Sequence, residues 1–258
     1  MIQFEQVTKT LGGRKVLDAI DLEVRDGETL AIVGPSGTGK SVSLKHMVRL
    51  MTPDAGRVLV GGEAISEATG QSLERLREKF GVLFQGGALL EWLNVFENVA
   101  LPLREKTQTG EEEIITRVRE KLRLVGLDQD ELKHPSEISG GMRKRAGLAR
   151  AIIRNPEIIL YDEPTSGLDP VSSRTIDALI EDMRQKLAVT SVVVTHDLHS
   201  ALSIATRIAM LSEGRIVELA TPEDFIKSKV EAVVRFLEAQ YITTRGSWEK
   251  HTNETKNG

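Results

Sequence analysis

Apolar residues alternate with polar ones at Ile2, Phe4 and Val7 and again at Leu17, Ile20, Leu22 and Val24. A strand with one buried face shows this period of two, and the two stretches predict an antiparallel pair. Residues 30–33, 82–84, 158–161 and 191–194 differ: each run is apolar throughout and leads into a loop or helix. Strands of a parallel sheet have this composition because helices cover both faces. Helical spacing appears at Ile114, Ile115, Val118, Leu122 and Val125. The acidic residues Glu111, Glu112 and Glu113 just before suit the positive end of a helix. Residues 139–154 and the segment after Pro170 read as further helices. Segments 207–211 and 215–219 read as a late hairpin, and Ile226, Val230, Val233 and Leu237 as an amphipathic C-terminal helix. The sum is an α/β chain with a mostly parallel sheet, an N-terminal antiparallel β subdomain and a mostly helical insertion from about residue 87 to 155. Residues 1–240 are expected to form one domain. Residues 241–258 are expected to form a polar tail, loose from about Thr243, in which Trp248 stands alone.

Composition narrows the function. The 258 residues can bury a sizeable core without staples. They include no cysteine, so neither a disulfide framework nor a thiolate zinc site can form, which fits the cytosol. A net charge of −4 argues against a general nucleic-acid binder. The first residues lack the basic-then-apolar pattern of a secretion signal. No apolar run approaches the roughly 18 residues needed to cross a bilayer. The expectation is a protein soluble by itself, whose association with a membrane runs through a partner.

The chemistry begins after the first apolar run. Gly34, Pro35, Ser36, Gly37, Thr38, Gly39, Lys40 and Ser41 match G-x-x-x-x-G-K-[ST]. Glycines let the backbone wrap a triphosphate with successive N–H groups turned inward, and the following helix adds its positive end. Lys40 is expected at the β- and γ-phosphates and the Ser41 hydroxyl on Mg²⁺. A Gly-rich turn without a ligand is the ordinary alternative, but the strand before and helix after are the setting the motif needs. Residues 158–161 then lead into Asp162 and Glu163. Asp162 is expected to hold Mg²⁺ through water, and Glu163 to polarise an attacking water. Thr195, His196 and Asp197 close another apolar run, which brings His196 to the same sheet edge, within reach of the γ-phosphate. The His196/His199 pair is weak evidence for a metal.

A phosphate loop and an acidic strand end describe any P-loop NTPase of RecA-like fold, kinases and GTPases included. Three further pieces narrow this. Ser139, Gly140, Gly141 and Met142 precede a helix carrying Arg143, Lys144 and Arg145; Gln85 follows the run at 82–84; and Ser166, Gly167, Leu168 and Asp169 come soon after Glu163 and Pro164. In order and spacing these resemble the signature, Q-loop and D-loop of the ABC-transporter nucleotide-binding subunit, over nearly the whole chain to about residue 240. The resemblance implies ATP hydrolysis with Mg²⁺ in a head-to-tail dimer, most simply of two identical subunits, at the cytoplasmic face of the inner membrane, where the dimer drives integral permease subunits. It implies that Ser139 and Gly141, with Gly140, bind the γ-phosphate held by the opposite subunit, and that Gln85 senses γ-phosphate and Mg²⁺. Asp169 is placed at the nucleotide on the same ground. Arg143 to Arg145, and Lys144 above all, are expected on a solvated helix face. Leu89, Leu90, Trp92 and Leu93 serve either a groove for a permease helix or simple core packing. Two positions depart from the family. Leu11 stands where an aromatic residue often stacks on adenine, so that Leu11 and Val16 would grip the base by apolar contact alone. Val42 replaces a second hydroxyl.

Phe84 to Leu90, the stretch from Asn94 to Glu105, the Gly-Gly-Met form of the signature and residues 233–237 resemble the branch paired with lipid-transport permeases of the Mla/Mce type. A phospholipid or other lipid cargo, with a lipid-binding periplasmic subunit, is what that implies. Import of amino acids or other polar solutes is the alternative. A soluble ABC ATPase working on DNA or ribosomes is a third option, disfavoured because the chain has neither a second ATPase half nor long coiled-coil arms.

Overall fold

The computed structural model describes residues 1–106 and 108–242. The expected tail from Thr243 onward, with Trp248, lies outside them. Strands β1 (Ile2–Leu11) and β2 (Arg14–Val24) pair antiparallel around Gly12 and Gly13, both at positive φ, as a two-residue hairpin of the favoured twist requires. β4 (Ala55–Val60) and the two-residue β5 (Glu63–Ala64) complete a four-stranded sheet in the order β2-β1-β4-β5.

The central sheet has six strands. β3 (Thr29–Val33), β6 (Phe80–Leu83), β7 (Ile158–Asp162) and β8 (Thr190–Thr195) are the apolar runs read from the sequence. With β9 (Arg207–Ser212) and β10 (Arg215–Ala220) they lie in the order β10-β9-β3-β8-β7-β6, parallel throughout except for the β9–β10 hairpin. β6 is one edge of the sheet and ends at Leu83, one residue short of the expected run.

The two faces of this sheet are covered differently. Ile159, Tyr161 and Val193 point into helices, as expected: α3 (Val95–Lys106), α4 (Glu111–Leu124), α5 (Gly140–Ile152) and α6 (Pro170–Leu187). Leu30, Ile32, Leu160, Val192 and Val194 point the other way, onto α1 (Lys40–Met47) and the antiparallel sheet through Ile2, Phe4 and Leu22. The expected helical cover of both faces is thus corrected: a second sheet supplies much of one. Strand side chains alternate across a sheet, so a continuous apolar run serves either kind of cover. α2 (Gly70–Glu78) lies against β6.

Near the C-terminus, α7 (Leu198–Ile204), α8 (Pro222–Phe225) and α9 (Glu231–Ala239) pack with Ala31, Val33, Ile208 and Met210. The expected single helix through Ile226 and Val230 is corrected here. Thr221 caps α8, Val230 is the cap position of α9, and residues 226–230 are not helical. Val233 and Leu237 are the buried residues of α9, and Ile226, Val230 and Phe236 pack against the same cluster half-buried.

Candidate functional site

Parallel strands deliver their carboxyl ends to one edge, which is why residues far apart in the chain meet there. β3 runs into the 34–39 loop, β6 is followed closely by Gln85, β7 is followed by Glu163, and β8 by His196. The β1–β2 hairpin adds Leu11 and Val16 from the second sheet. Together they enclose a cavity of about 550 Å³ whose walls include Ser36, Gly37, Lys40 and Ser41 on one side and Gln85, Glu163, Ser166 and His196 on the other. Leu11, 39% exposed, and Val16 form its apolar end, where an adenine would need them. Val42 also lines it.

The loop holds its curve because two glycines leave no room for a side chain. Gly34 has φ +150, and a Cβ there would lie 2.3 Å from the Leu211 carbonyl oxygen. Gly39 has φ +104, and its Cβ would lie 2.5 Å from the Val16 carbonyl oxygen. Thr38 Oγ1 donates to the Pro35 carbonyl at 2.9 Å. Lys40, 5% exposed, donates from Nζ to the Gly34 and Pro35 carbonyls at 2.8 and 3.0 Å. Its ammonium lies 3.9 Å from Glu163 Oε1. Burial pushes the Lys40 pKa down, while the Glu163 and Asp162 carboxylates oppose that shift.

Ser41 Oγ donates to Asp162 Oδ1 at 2.7 Å. A hydroxyl beside a carboxylate, both hard oxygen donors, with the Gln85 amide at the same cavity, fits Mg²⁺, which keeps several waters of its own. Bound there, Mg²⁺ would neutralise phosphate charge. Among the described residues no group of three or more His, Cys, Asp or Glu stands together as a metal cluster.

Glu163 sits at φ +49, in the left-handed region. Its N–H donates to the Val194 carbonyl at 2.8 Å, and its Oε2 meets His196 Nδ1 at 2.8 Å. The sequence pointed His196 at the γ-phosphate; here its ring is paired with the candidate base, at the cavity wall.

The remaining predicted residues lie elsewhere. Ser139 is exposed and caps α5, its Oγ accepting from the Met142 N–H at 3.2 Å. Gly140 and Gly141 open that helix, with Gly141 against Ser172 of α6. None of the three lines the cavity beside Lys40. Asp169 caps α6 through Oδ1, which accepts from the Val171 and Ser172 N–H groups at 2.9 and 3.0 Å. The Ser172 hydroxyl, donating to Oδ2 at 2.5 Å, and these amides hold its carboxyl below the usual range. Ser166, four residues past Asp162, reaches the cavity where Asp169 does not.

The solvated face expected for Arg143 to Arg145 is a correction. Lys144 is 3% exposed and donates from Nζ to the Glu163 carbonyl at 2.7 Å. Arg143 bonds the Pro135 and Ile138 carbonyls, and Arg145 those of Val125 and Gly126. These cations satisfy loop carbonyls around α5, those of the buried Pro135, Ile138 and Val125 among them. The signal was present: Lys144, Leu148 and Ile152 fall at i, i+4 and i+8, on one helix face that includes the buried Leu148 and Ile152.

Of the four groove candidates, Trp92 is 73% exposed, whereas Leu89 packs against the helical core. Buried Asn98 ties the segment between them down, accepting from the Leu90 N–H at 2.7 Å and donating to the Leu90, Leu93 and Asn94 carbonyls at 3.0 Å.

Residues 17–166 match the family model described as ABC transporter. The chain is 42% identical over 254 residues to the probable ribonucleotide transport ATP-binding protein mkl of Mycobacterium leprae, covering 98% of this chain and 73% of that one. It is 38% identical to the intermembrane phospholipid transport system ATP-binding protein MlaF of Haemophilus influenzae, covering 93% and 91%. Among solved structures, the dimeric ATP-binding cassette MJ0796 in a post-hydrolysis state with ADP and Pi superposes with a TM-score of 0.79 at 33% identity, over 86% of this chain and 99% of that one. A loop closed around Lys40, a carboxylate pair at the end of β7 and these relatives lead to one assignment: the chain belongs to the ABC transporter family, as an ATP-binding and ATP-hydrolysing subunit of a transport system.

Proposed function

We propose that two copies of this chain bind ATP between them, head to tail, and that closure and hydrolysis drive an integral membrane permease at the cytoplasmic face of the inner membrane. One observation carries this reading. Ser139 stands exposed, with half-buried Gly140 and Gly141 beside it, at a helix N-terminus outside the cavity that holds Lys40, Ser41 and Glu163. A helix N-terminus favours an anion, and here the phosphate must come from another chain. The relative MJ0796 is itself dimeric, which supports the pairing. Within each site, Lys40 and the loop amides would hold the β- and γ-phosphates, Ser41, Asp162 and Gln85 would hold Mg²⁺, and Glu163, paired with His196, would accept the proton of the attacking water. Asp169 would face the nucleotide only across the closed interface. Residues 1–240 form the ATPase domain in this reading, residues 87–155 its helical part and 241–258 an appended tail.

Among the described residues no helix is long and apolar enough to cross a membrane, so contact with a bilayer would run through the permease. Exposed Trp92 and an apolar cleft of about 350 Å³, floored by Leu50, Phe80, Val82 and Phe84, are the surfaces suited to a permease helix. The cargo we propose is a phospholipid or another lipid, delivered with a lipid-binding periplasmic subunit, because the stretch from Phe84 to Glu105 resembles the lipid-transport branch and the chain is 38% identical to a phospholipid-transport ATP-binding protein. The name of mkl favours a second reading, a polar solute such as a ribonucleotide. Purification of the tagged chain from membranes in mild detergent separates the two. A permease that arrives with bound phospholipid supports the lipid reading. A permease without lipid, whose ATPase rate responds to a polar solute, contradicts it.

A further inference from the structure

We infer that Lys144 is a positioning residue for Glu163: its ammonium holds the Glu163 peptide in the one conformation that aims the carboxylate at His196 and the cavity. The inference rests on Glu163 being the base, as proposed above.

Glu163 is in an unfavourable place twice over. Its φ of +49 is a conformation that a residue with a Cβ adopts only under constraint. It also precedes Pro164, and a residue before proline is pushed toward extended backbone by the proline ring. Left to itself, this peptide would relax and swing the carboxylate away from the His196 ring, which it meets at 2.8 Å. The carboxylate itself meets the His196 N–H at 3.4 Å and the Lys40 ammonium at 3.9 Å, and three contacts hold the peptide. The Glu163 N–H reaches the Val194 carbonyl at 2.8 Å, and the Ser166 N–H reaches the Glu163 carbonyl at 3.2 Å within the turn that follows. Lys144 makes the third, at 2.7 Å, the shortest and the only charged one.

Lys144 gives up hydration for this contact. An ammonium at 3% exposure is costly unless its donors are used, and burial pushes its pKa down against the pull of Glu163 and Asp162. A solvent-facing lysine at the same point of a helix would carry no such cost, so the buried position asks for a role. The anchor also has a direction. Lys144 stands on the first turns of α5, five positions after Ser139, on one rigid helix. A movement of the exposed Ser139 end is therefore delivered to the peptide of the base in the same chain. In a head-to-tail dimer this joins the phosphate bound through Ser139 in one site to the carboxylate working in the other.

The test is a double-mutant cycle on the full chain, read by single-turnover hydrolysis and by ATP affinity. Lys144→Met keeps the apolar stem but removes the donor. It is expected to lower the hydrolysis rate about tenfold or more, as for a lost charge-assisted hydrogen bond, with ATP affinity within about twofold. Lys144→Arg, which keeps a donor of sufficient reach, is expected to restore most of the rate. If the methionine variant does not fold, Lys144→Gln, polar but one bond too short, carries the same expectation. In the Glu163→Gln background, Lys144→Met should cost nothing further. An equal loss in both backgrounds would mean a general structural role and would overturn the inference, as would an unchanged rate in Lys144→Met alongside a disabled Glu163→Gln. A Glu163→Gln chain that hydrolyses ATP normally removes the base assignment itself, and a loss from Lys144→Met in that case contradicts any route through the carboxylate.

Discussion

Gly39 and Gly37 share the phosphate loop and positive φ, yet alanine should be tolerated very differently at the two positions. At Gly37, φ is +79 and a Cβ meets nothing within 4 Å, so the cost is backbone strain alone, about 1–2 kcal/mol. At Gly39, φ is +104 and a Cβ would lie 2.5 Å from the Val16 carbonyl oxygen and 3.2 Å from Leu17 Cδ2. The carbonyl belongs to β2, and Leu17 is fully buried, so neither can move aside cheaply. Strain of about 2 kcal/mol and overpacking of about 2 kcal/mol then add to about 4 kcal/mol. For a chain of this size each kcal/mol is worth about 2–4 °C in Tm. Gly39→Ala is therefore expected to melt about 8–16 °C below the parent chain without nucleotide, and Gly37→Ala about 2–8 °C below it. Thermal unfolding followed by circular dichroism reads both. ATP should add little to the Tm of Gly39→Ala, because the displaced loop can no longer close around the phosphates. Equal melting temperatures for the two variants would refute the packing argument.

Glu163→Gln is expected to bind ATP with near-normal affinity and to hydrolyse it about 10²–10⁴-fold more slowly, measured as phosphate release. Leu11→Asp puts a carboxylate at the apolar end of the cavity and is expected to weaken ATP binding at least about tenfold; unchanged affinity in a titration with a fluorescent analogue would remove Leu11 from the base site. Asp177, on α6, accepts a hydrogen bond from the Ser200 hydroxyl on α7, and burial raises its pKa, opposed by that bond and by Arg174 at 3.5 Å. A folded-state pKa raised above the unfolded one favours the protonated carboxyl on folding, so the contribution is full at low pH and is lost as pH rises through the folded value. Asp177→Asn keeps an acceptor for Ser200 without a charge, and is expected to raise Tm at pH 8. The gap should close as pH falls toward the ordinary aspartate value of 3.8; a gap that widens with acid would reverse the sign.

The central strands and the acidic end of β7 were legible because buried strands need an uninterrupted apolar run, and the phosphate loop because its glycines, Lys40 and Ser41 stand at fixed spacing. β4, β5 and α2 were not. β4 opens on Ala55 and Gly56 and buries only Val58 and Val60, β5 has two residues, and α2 buries only Leu73 and Leu76. Too few apolar positions repeat there for a period to show. Apolar spacing at Ile226 and Val230 imitated a helix that the cap at Thr221 and the restart at Glu231 divide. Within the site, residue types named the chemistry but not the pairings. Nothing in local spacing says that Ser41 meets Asp162, or that His196 turns to Glu163, since those contacts depend on strand order. Lys144 was hidden by its charge: a basic residue in a basic stretch reads as surface until its helix face is traced.

ATP as a joint between two copies is tested most directly by the mass of the Glu163→Gln chain in solution, with Mg²⁺ and with or without ATP, by light scattering after gel filtration. ATP is expected to shift the species from one chain of 28.4 kDa to two, and adding Ser139→Arg is expected to keep it at one chain while ATP still binds. A dimer that forms equally well with Ser139→Arg, or without any nucleotide, would contradict the shared site.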